Sequence, residues 1–152
     1  MANVWLSEPE MKAWRNFVSA FGPLMDALGK DLEPHGLNLG DYEVLVHLSE
    51  ADERRMRMCD LAEALRLSPS GLTRRLDGLV RHGLVERRSC PSDRRVMHAH
   101  LTESGFELMM RAAPDHVASV RRHLLSPLDV EQVEQLGTIF EAVRAQFAAQ
   151  TV

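Results

Sequence analysis

Length, composition and charge already exclude several classes of protein. The 152 residues are 45% hydrophobic and 26% charged, which is typical of one soluble globular domain with its own core. The net charge of −4 argues against a nucleic-acid partner, because domains that bind nucleic acids usually carry a basic balance. The chain has no long apolar run and no signal-peptide pattern, and its two cysteines form no CxxC motif. We therefore expect a cytoplasmic protein without a membrane segment.

The charge is distributed unevenly along the chain. Residues 51–100 contain 11 arginines, no lysine and 7 acidic residues, whereas the other 102 residues carry 7 basic and 15 acidic side chains. The basic excess is greatest in the segment 66–95, which has 8 arginines against 3 acidic residues. This pattern fits a basic face that meets a polyanion, or simply a solvated arginine-rich surface.

The first third of the chain predicts two helices. Ser7 and Glu10 form a capping-box pattern, and apolar residues then recur at helical spacing as far as Leu32. The pair Gly22-Pro23 predicts a kink, and 34–36 (Pro-His-Gly) predicts the end of this helix. Asn38 is a candidate cap for the second helix. The polar stretch 51–55 reads as a loop.

The middle third predicts two helices and a β-hairpin. A short helix over 58–65 is followed by Ser68-Pro69, a strong helix start, and the next helix ends before Gly83. Residues 84–88 and 96–101 read as two strands joined by a turn at 89–93.

The last third predicts two more helices. Thr102 is expected to cap a helix that runs to about Leu124, Pro114 predicts a kink in it, and Ser126-Pro127 predicts its end. Asp129 and Gln132 form a second capping box before the final apolar helix.

A short helix, a three-residue connection, a longer helix and a hairpin follow one another in the order of a winged helix-turn-helix. The predicted fold class is therefore mainly α with a small β-hairpin wing, and the second helix of the motif would enter the major groove of DNA. Its N-terminal half offers small residues and hydrogen-bonding groups, which allow close approach to base edges and phosphates. The candidate contact residues on this helix are Ser68, Ser70, Gly71, Thr73, Arg74 and Arg75.

The hairpin adds a second candidate contact. Arg94 and Arg95 at its tip suit the negative potential of the minor groove, and Asp93 beside them would orient them through an ion pair. Arg87 and Arg88 at the base of the hairpin would lie near phosphates. Any helical bundle with a hairpin could show these elements, and a winged helix can also serve protein–protein contact alone.

Taken together and in order, the motifs resemble those of the MarR (multiple antibiotic resistance regulator) family. The resemblance rests on Asp60-Leu61-Ala62-Glu63, Leu67-Ser68, Leu72-Thr73-Arg74, Leu76-Asp77-Gly78-Leu79-Val80, Gly83-Leu84-Val85, Asp93-Arg94-Arg95 and Leu101-Thr102-Glu103-Ser104-Gly105. It implies an obligate homodimer on a pseudo-palindromic operator, with Arg95 in the minor groove. It also implies a single chain, 1–152, with dimerisation helices at 7–36 and 103–149 around a DNA-binding lobe at 38–101.

Two features of the residues themselves bear on dimerisation and ligand binding. The terminal helices carry apolar stripes too long for one small lobe to cover, which favours a two-fold partner over packing within one bundle. The resemblance implies a small effector that shifts the spacing of the two DNA-reading lobes and releases a repressor from DNA. The candidate lining residues suit a flat aromatic or phenolic compound, with plain core as the alternative, and they are Trp14, Phe17, Phe21, Tyr42 and His47.

Other chemistries have weaker signals. His98 and His100 share one face of a strand, but the chain shows no cluster of His and Cys with metal-ligand spacing, so we expect no metal and no cofactor. Cys90 among arginines, and Cys59 at a helix start, leave a redox-responsive regulator as an alternative, beside a metal-responsive one. No nucleotide-binding loop, nucleophile elbow or zinc-protease motif is present, so we do not expect an enzyme.

Overall fold

The computed structural model describes residues 4–90 and 93–148, which contain six α-helices and one small three-stranded sheet. The elements in chain order are α1 Glu8–Leu32, α2 Leu39–Glu50, β1 Arg55–Arg57, α3 Met58–Ala64, α4 Pro69–Arg81, β2 Val85–Ser89, β3 Met97–Leu101, α5 Glu103–Val120 and α6 Val130–Ala148. The fold is thus mainly helical with a small sheet, as predicted.

The helices begin where local hydrogen bonds replace the missing intrahelical partners. The amide of Ser7 donates to Glu10 Oε2 at 2.7 Å, and Asn38 Oδ1 accepts from the amide of Asp41 at 2.8 Å. Thr102 Oγ1 accepts from the amide of Gly105 at 3.0 Å, and Asp129 Oδ1 accepts from that of Gln132 at 2.8 Å. α1 continues through Pro23 as one helix. It gives way to a short 3₁₀ turn, which Gly36 ends with a φ of +71°.

The sheet differs from the predicted hairpin. Its order is β1-β3-β2, with both neighbours antiparallel to the central strand β3. Residue 55, expected in a loop, opens β1, in which Met56 lies opposite Ala99. Three residues carry too little periodicity to indicate a strand, and the partner of β1 lies more than 40 residues away.

The end of α5 also differs from the prediction. The α-helix includes Pro114 but ends at Val120, and Arg121–Leu125 form a π-helical turn where an α-helix was expected. Ser119, the last residue but one of α5, is fully buried, and its hydroxyl has no hydrogen-bond partner of good geometry. The hydroxyl nevertheless lies near the carboxylate of Asp31. Its proximity, followed by that of His123 and Arg122, lowers the pKa of the Asp31 carboxyl below its usual value, against the opposing effect of burial.

The core lies in the middle of the chain. Fully buried side chains from α2, α3, α4 and the sheet pack together, with the end of α1 and the first half of α5 closing the cluster. By contrast, α1 and α6 expose large apolar side chains. In the described residues, no helix has the length and hydropathy needed to cross a membrane.

Candidate nucleic-acid interface

The N-terminus of α4 is an exposed, hydrogen-bonded platform. Ser68 Oγ accepts from the amide of Gly71 at 3.1 Å and lies 3.2 Å from Ser70 Oγ. Thr73 Oγ1 donates back to the carbonyl of Pro69 at 2.9 Å, so its lone pairs remain available to a donor. A Cβ at position 71 would lie 3.1 Å from the capping hydroxyl, so glycine leaves room for the cap. The platform therefore offers hydroxyls and helix-terminal amides to a neighbouring molecule.

Two adjacent arginines of α4 have different surroundings. Arg74 is exposed and has no ion pair among the described residues. Arg75 is half-buried and lies against the start of α2, where it donates to Asn38 Oδ1 at 3.3 Å and lies 3.6 Å from Asp41 Oδ1. A Cβ on Gly40 would fall 1.8 Å from its guanidinium. Arg75, predicted to face DNA, thus holds α4 against α2 in this structure.

The contact with Arg75 also affects the ionisation of Asp41. Burial raises the pKa of the Asp41 carboxyl, and the Arg75 guanidinium, the Asn38 amide and His82 oppose the rise. The pair of Asp41 and Arg75 therefore supports α4 from the side of α2.

Arg87 plays a similar part at the base of the wing. Its Nη2 donates to the carbonyl of Thr73 at 2.7 Å and to Asp77 Oδ1 at 2.8 Å, and only 27% of its side chain is exposed. This contact fastens β2 to the middle of α4. Arg88 points the other way, with 62% of its side chain exposed, and its Nε donates to Glu86 at 2.8 Å. Of the two arginines expected near phosphates, the structure leaves Arg88 at the surface.

The wing tip exposes the other two arginines. Asp93 Oδ1 accepts from the amide of Arg95 at 3.0 Å and lies 3.3 Å from its Nε, while 92% of the Arg95 side chain is exposed. Arg94 is exposed beside it. The amide of Val96 donates to the carbonyl of Asp93 at 2.9 Å and helps to close the turn. The two residues 91–92 of the predicted turn lie outside the described residues.

The exposed guanidiniums of Arg74, Arg94 and Arg95 thus stand on two elements that Arg87 fastens together. Such an arrangement can place one element in a major groove and the other in a minor groove, with phosphates between them. Sequence reasoning missed the partners of Arg75 and Arg87, namely Asn38, Asp41 and Asp77, because no local spacing indicates these contacts.

The structure divides the five predicted effector residues. Trp14, Phe17 and Phe21 form an exposed stack along α1, with centroids 6.2 and 5.7 Å apart, and Phe17 lies 6.2 Å from the ring of Phe140 on α6. Tyr42 is buried instead and packs against His116 at 4.6 Å. His47 is half-buried on α2.

Two open grooves are found elsewhere in the described residues. The larger, about 620 Å³, lies between the end of α1 and α5, and the smaller, about 390 Å³, lies between Arg66 and α6. None of the five predicted effector residues lines either groove. The larger is lined by Lys30, Asp31, Glu33, Pro34, Asp115, Ala118 and Arg122.

The histidines and cysteines are arranged as single residues or pairs. No group of three metal-ligating side chains converges within residues 4–90 and 93–148. The rings of His98 and His100 lie 6.1 Å apart on β3. Cys59 is exposed and its thiol donates to Asp60 Oδ1 at 3.2 Å, and Cys90 is half-buried.

Comparison with known proteins places the chain among transcriptional regulators. A sequence model of the MarR family matches residues 37–97. The transcriptional repressor MprA of Escherichia coli K12 is 30% identical over 79% of this chain and 77% of its own length. The crystal structure of AbsC, a MarR family regulator of Streptomyces coelicolor, is 41% identical over 97% of this chain and 99% of that one, with a TM-score of 0.90.

Two further solved structures hold a bound molecule. Sco3205, a MarR family regulator of Streptomyces coelicolor in complex with DNA, is 36% identical over 94% of each chain, with a TM-score of 0.88. CouR of Rhodococcus jostii RHA1, bound to p-coumaroyl-CoA, is 29% identical over 84% of this chain and 87% of that one, with a TM-score of 0.72. The relatives are regulators and not enzymes. With its fold, its motifs and these relatives in agreement, the chain belongs to the MarR family of DNA-binding transcriptional regulators.

Proposed function

We propose that the protein is a homodimeric transcriptional repressor that binds a pseudo-palindromic operator and leaves it when a small effector binds. The observation that carries the DNA-binding part is the pair of exposed basic elements, the start of α4 with Arg74 and the wing tip with Arg94 and Arg95. The α4 platform would read the major groove, and Arg95, oriented by Asp93, would enter the minor groove. Such a protein acts on the chromosome, in the cytoplasm.

The apolar faces of the terminal helices support the dimer. On α1, Trp14, Phe17 and Phe21 are 44–56% exposed, and on α6, Phe140 and Phe147 are 47% and 52% exposed. Contiguous apolar surface of this kind marks an interaction site, and a two-fold partner is its commonest cover. We assign dimerisation to 7–36 and 103–149, and DNA binding to the lobe 38–101. One protomer would then occupy each half of the operator.

The repressor and effector assignments have separate support. The relative MprA is named a repressor, and CouR holds an aromatic acyl ligand. The candidate lining residues are those expected from the sequence, Trp14, Phe17, Phe21, Tyr42 and His47. An aromatic or phenolic compound would bind at the rim of the dimer seam, to which Trp14, Phe17 and Phe21 also contribute. An effector that binds better to the DNA-incompetent spacing of the two lobes shifts the population away from DNA.

A binding titration tests the DNA-reading assignment. We expect binding to a duplex from the protein's own promoter region to weaken steeply with salt, since each phosphate contact releases counterions. The Arg95→Ala variant should lose affinity for all duplexes, whereas Arg74→Ala should also change sequence preference. Binding that ignores salt, or full affinity in the Arg94→Ala/Arg95→Ala double variant, would overturn the proposal.

A thermal-unfolding screen tests the effector assignment. Phenolic acids and their coenzyme A thioesters should raise the melting temperature and reduce DNA affinity at the same concentration. Zn²⁺ and peroxide serve as comparison arms for a metal- or redox-responsive regulator. A response to either of these and none to the phenolic compounds would contradict our assignment.

A further inference from the structure

The outward face of the wing sheet carries a cluster of cationic and titratable side chains, of which only Arg88 is a candidate DNA contact from the sequence. The register sets Arg55 opposite His100, and Arg57 opposite His98. On the other side of β3, Arg88 lies opposite His98. Paired residues of antiparallel strands point to the same face, so these side chains share one surface. We call it the sheet patch, and its members are Arg55, Arg57, Arg88, His98 and His100.

Alternation along the strands shows that this face points outward. Ala99 is fully buried and Met56 packs on the core, while Arg87 of the same row reaches inward to α4. The side chains before and after them therefore point away from the core. Arg55 and Arg88 have 46% and 62% of their side chains exposed, and Arg57 is exposed as well.

The charge of the sheet patch depends on its histidines. Arg88 pairs with Glu86 and Arg55 pairs with Glu53, whereas Arg57 has no ion pair among the described residues. Three arginines against two carboxylates leave a small positive charge, and protonation of the two histidines would add to it. The pKa of His100 reflects this environment. Burial lowers it most, Arg88, Arg55 and His98 lower it further, and Glu86 opposes them.

Three members of the sheet patch, Arg88, His98 and His100, lie on the same hairpin as the wing tip, and Arg57 of β1 lies opposite His98. His98 follows Arg95 by three residues, which span at most about 10 Å. A duplex carries one negative charge per ~1.7 Å of its axis, so phosphates that flank a wing tip in the minor groove come within reach of arginine side chains at that distance. The phosphates of duplex DNA are spaced closely enough for more than one of them to meet the sheet patch at once.

We propose that the sheet patch is a second DNA-contacting surface, which binds backbone phosphates outside the segment read by α4 and the wing tip and binds them more tightly when His98 and His100 are protonated. This inference rests on the proposed DNA-binding function. The sign follows from linkage: a phosphate beside an imidazole favours its charged form, so DNA binding takes up protons and affinity rises as the pH falls.

Duplex length and pH together test the proposal. A duplex enriched by the wild-type protein from a random pool is cut to the positions whose bases the enrichment selects, and a second version carries one extra helical turn at each end. We expect the extended duplex to bind more tightly, and the advantage to grow between pH ~7.5 and ~5.5. Arg57→Ser should remove about one phosphate contact per protomer, lowering the salt slope on the extended duplex by roughly 2 per dimer.

The variants separate this surface from the rest of the protein. Position 57 is the N-cap of α3, where serine is favourable, so Arg57→Ser should fold normally. The double variant His98→Asn/His100→Asn should keep the length advantage at high pH and lose its growth on acidification. Arg121→Ser, which removes the same charge from an exposed position in the π-helical turn after α5, should match the wild type.

Each result has one meaning. If the wild type binds neither duplex, the proposed function fails and this inference fails with it. If the wild type and the Arg57→Ser variant bind both duplexes equally, the DNA-reading assignment stands and the sheet patch is overturned. The same conclusion follows if the DNA affinity, salt slope and pH response of the patch variants remain those of the wild type.

Discussion

At the scale of single residues, the arginines of the DNA-binding lobe divide by what their guanidiniums contact. Arg75 and Arg87 bind other elements of the same chain, whereas Arg74 and Arg95 face solvent. Counting charges along the sequence correctly indicated a basic segment. It could not indicate this division, because Asn38 approaches Arg75 only through the packing of α2 on α4, and Asp77 approaches Arg87 only through the packing of β2.

The contact between Arg87 and α4 makes a prediction about positioning. Arg87→Ala leaves Asp77 and the carbonyl of Thr73 without their donor, which should lower the free energy of unfolding by about 1–2 kcal/mol. If ~1.4 kcal/mol of the free energy of this contact serves to hold the wing against α4 in the DNA complex, its loss lowers DNA affinity about tenfold. Urea unfolding and fluorescence anisotropy measure the two effects.

A variant of the partner residue distinguishes positioning from direct contact with DNA. Asp77→Asn weakens the same contact and leaves Arg87 in place, so a positioning role predicts lower DNA affinity with an unchanged salt slope. A phosphate-contacting Arg87 would be released by this change and would bind more tightly. Tighter binding by Asp77→Asn would therefore contradict our interpretation.

At the scale of elements, what the sequence revealed depended on whether the deciding contacts are local. The capping patterns at Ser7, Asn38 and Thr102 predicted their helix starts, because those hydrogen bonds join residues three apart. β1 and the π-helical turn after α5 escaped prediction. The first depends on pairing with β3, and the second follows an α-helix whose apolar pattern continues without a break.

The junction of α5 and the wing makes a prediction about close packing. A Cβ on Gly105 would lie 2.1 Å from the carbonyl oxygen of Leu84, to which Thr102 also donates, so backbone must move. We expect Gly105→Ala to cost about 2–3 kcal/mol of unfolding free energy. Gly78→Ala is the matched control: a Cβ there meets nothing within 4 Å, and alanine should stabilise α4 by up to ~1 kcal/mol. Equal stabilities for the two variants would refute the argument.

The packing of α2 against α5 makes a prediction about pH. Burial lowers the pKa of His116, against a small opposing effect of Glu43, and its Nδ1 has no hydrogen-bond partner. Because the folded pKa lies below the unfolded value near 6.5, the unfolded chain takes up its proton at a higher pH than the folded chain, so stability declines as the pH falls through this range. His116→Phe keeps a ring against Tyr42 and should reduce this decline. Urea unfolding at pH ~7.5 and ~5.5 measures it, and an identical decline in both proteins would exclude His116 as the cause.

At the scale of the whole molecule, the net charge of −4 conceals segments of opposite sign. Residues 51–100 hold 11 basic and 7 acidic side chains, whereas the segments assigned to dimerisation, 7–36 and 103–149, hold 7 basic and 12 acidic ones. In a dimer that binds DNA through the two lobes, the acidic helices would be turned away from the duplex, where they cannot repel its phosphates. The sum of charges was therefore a poor guide to the partner, and their distribution was a good one.

Dimerisation is the last prediction, and it decides whether the two lobes act together. Phe17 is 44% exposed and lies against Phe140, so Phe17→Glu places a charge in the middle of the apolar face. We expect this variant to sediment as a monomer, since a buried unpaired carboxylate costs several kcal/mol. Its DNA affinity should fall, because a single lobe meets one half-site without the second lobe's high effective concentration. Ser19→Glu is the matched control, because position 19 is exposed and lies about 200° around the same helix from position 17. If the Phe17→Glu variant stays dimeric, or if the Ser19→Glu variant dissociates equally, the two protomers are held together by another surface.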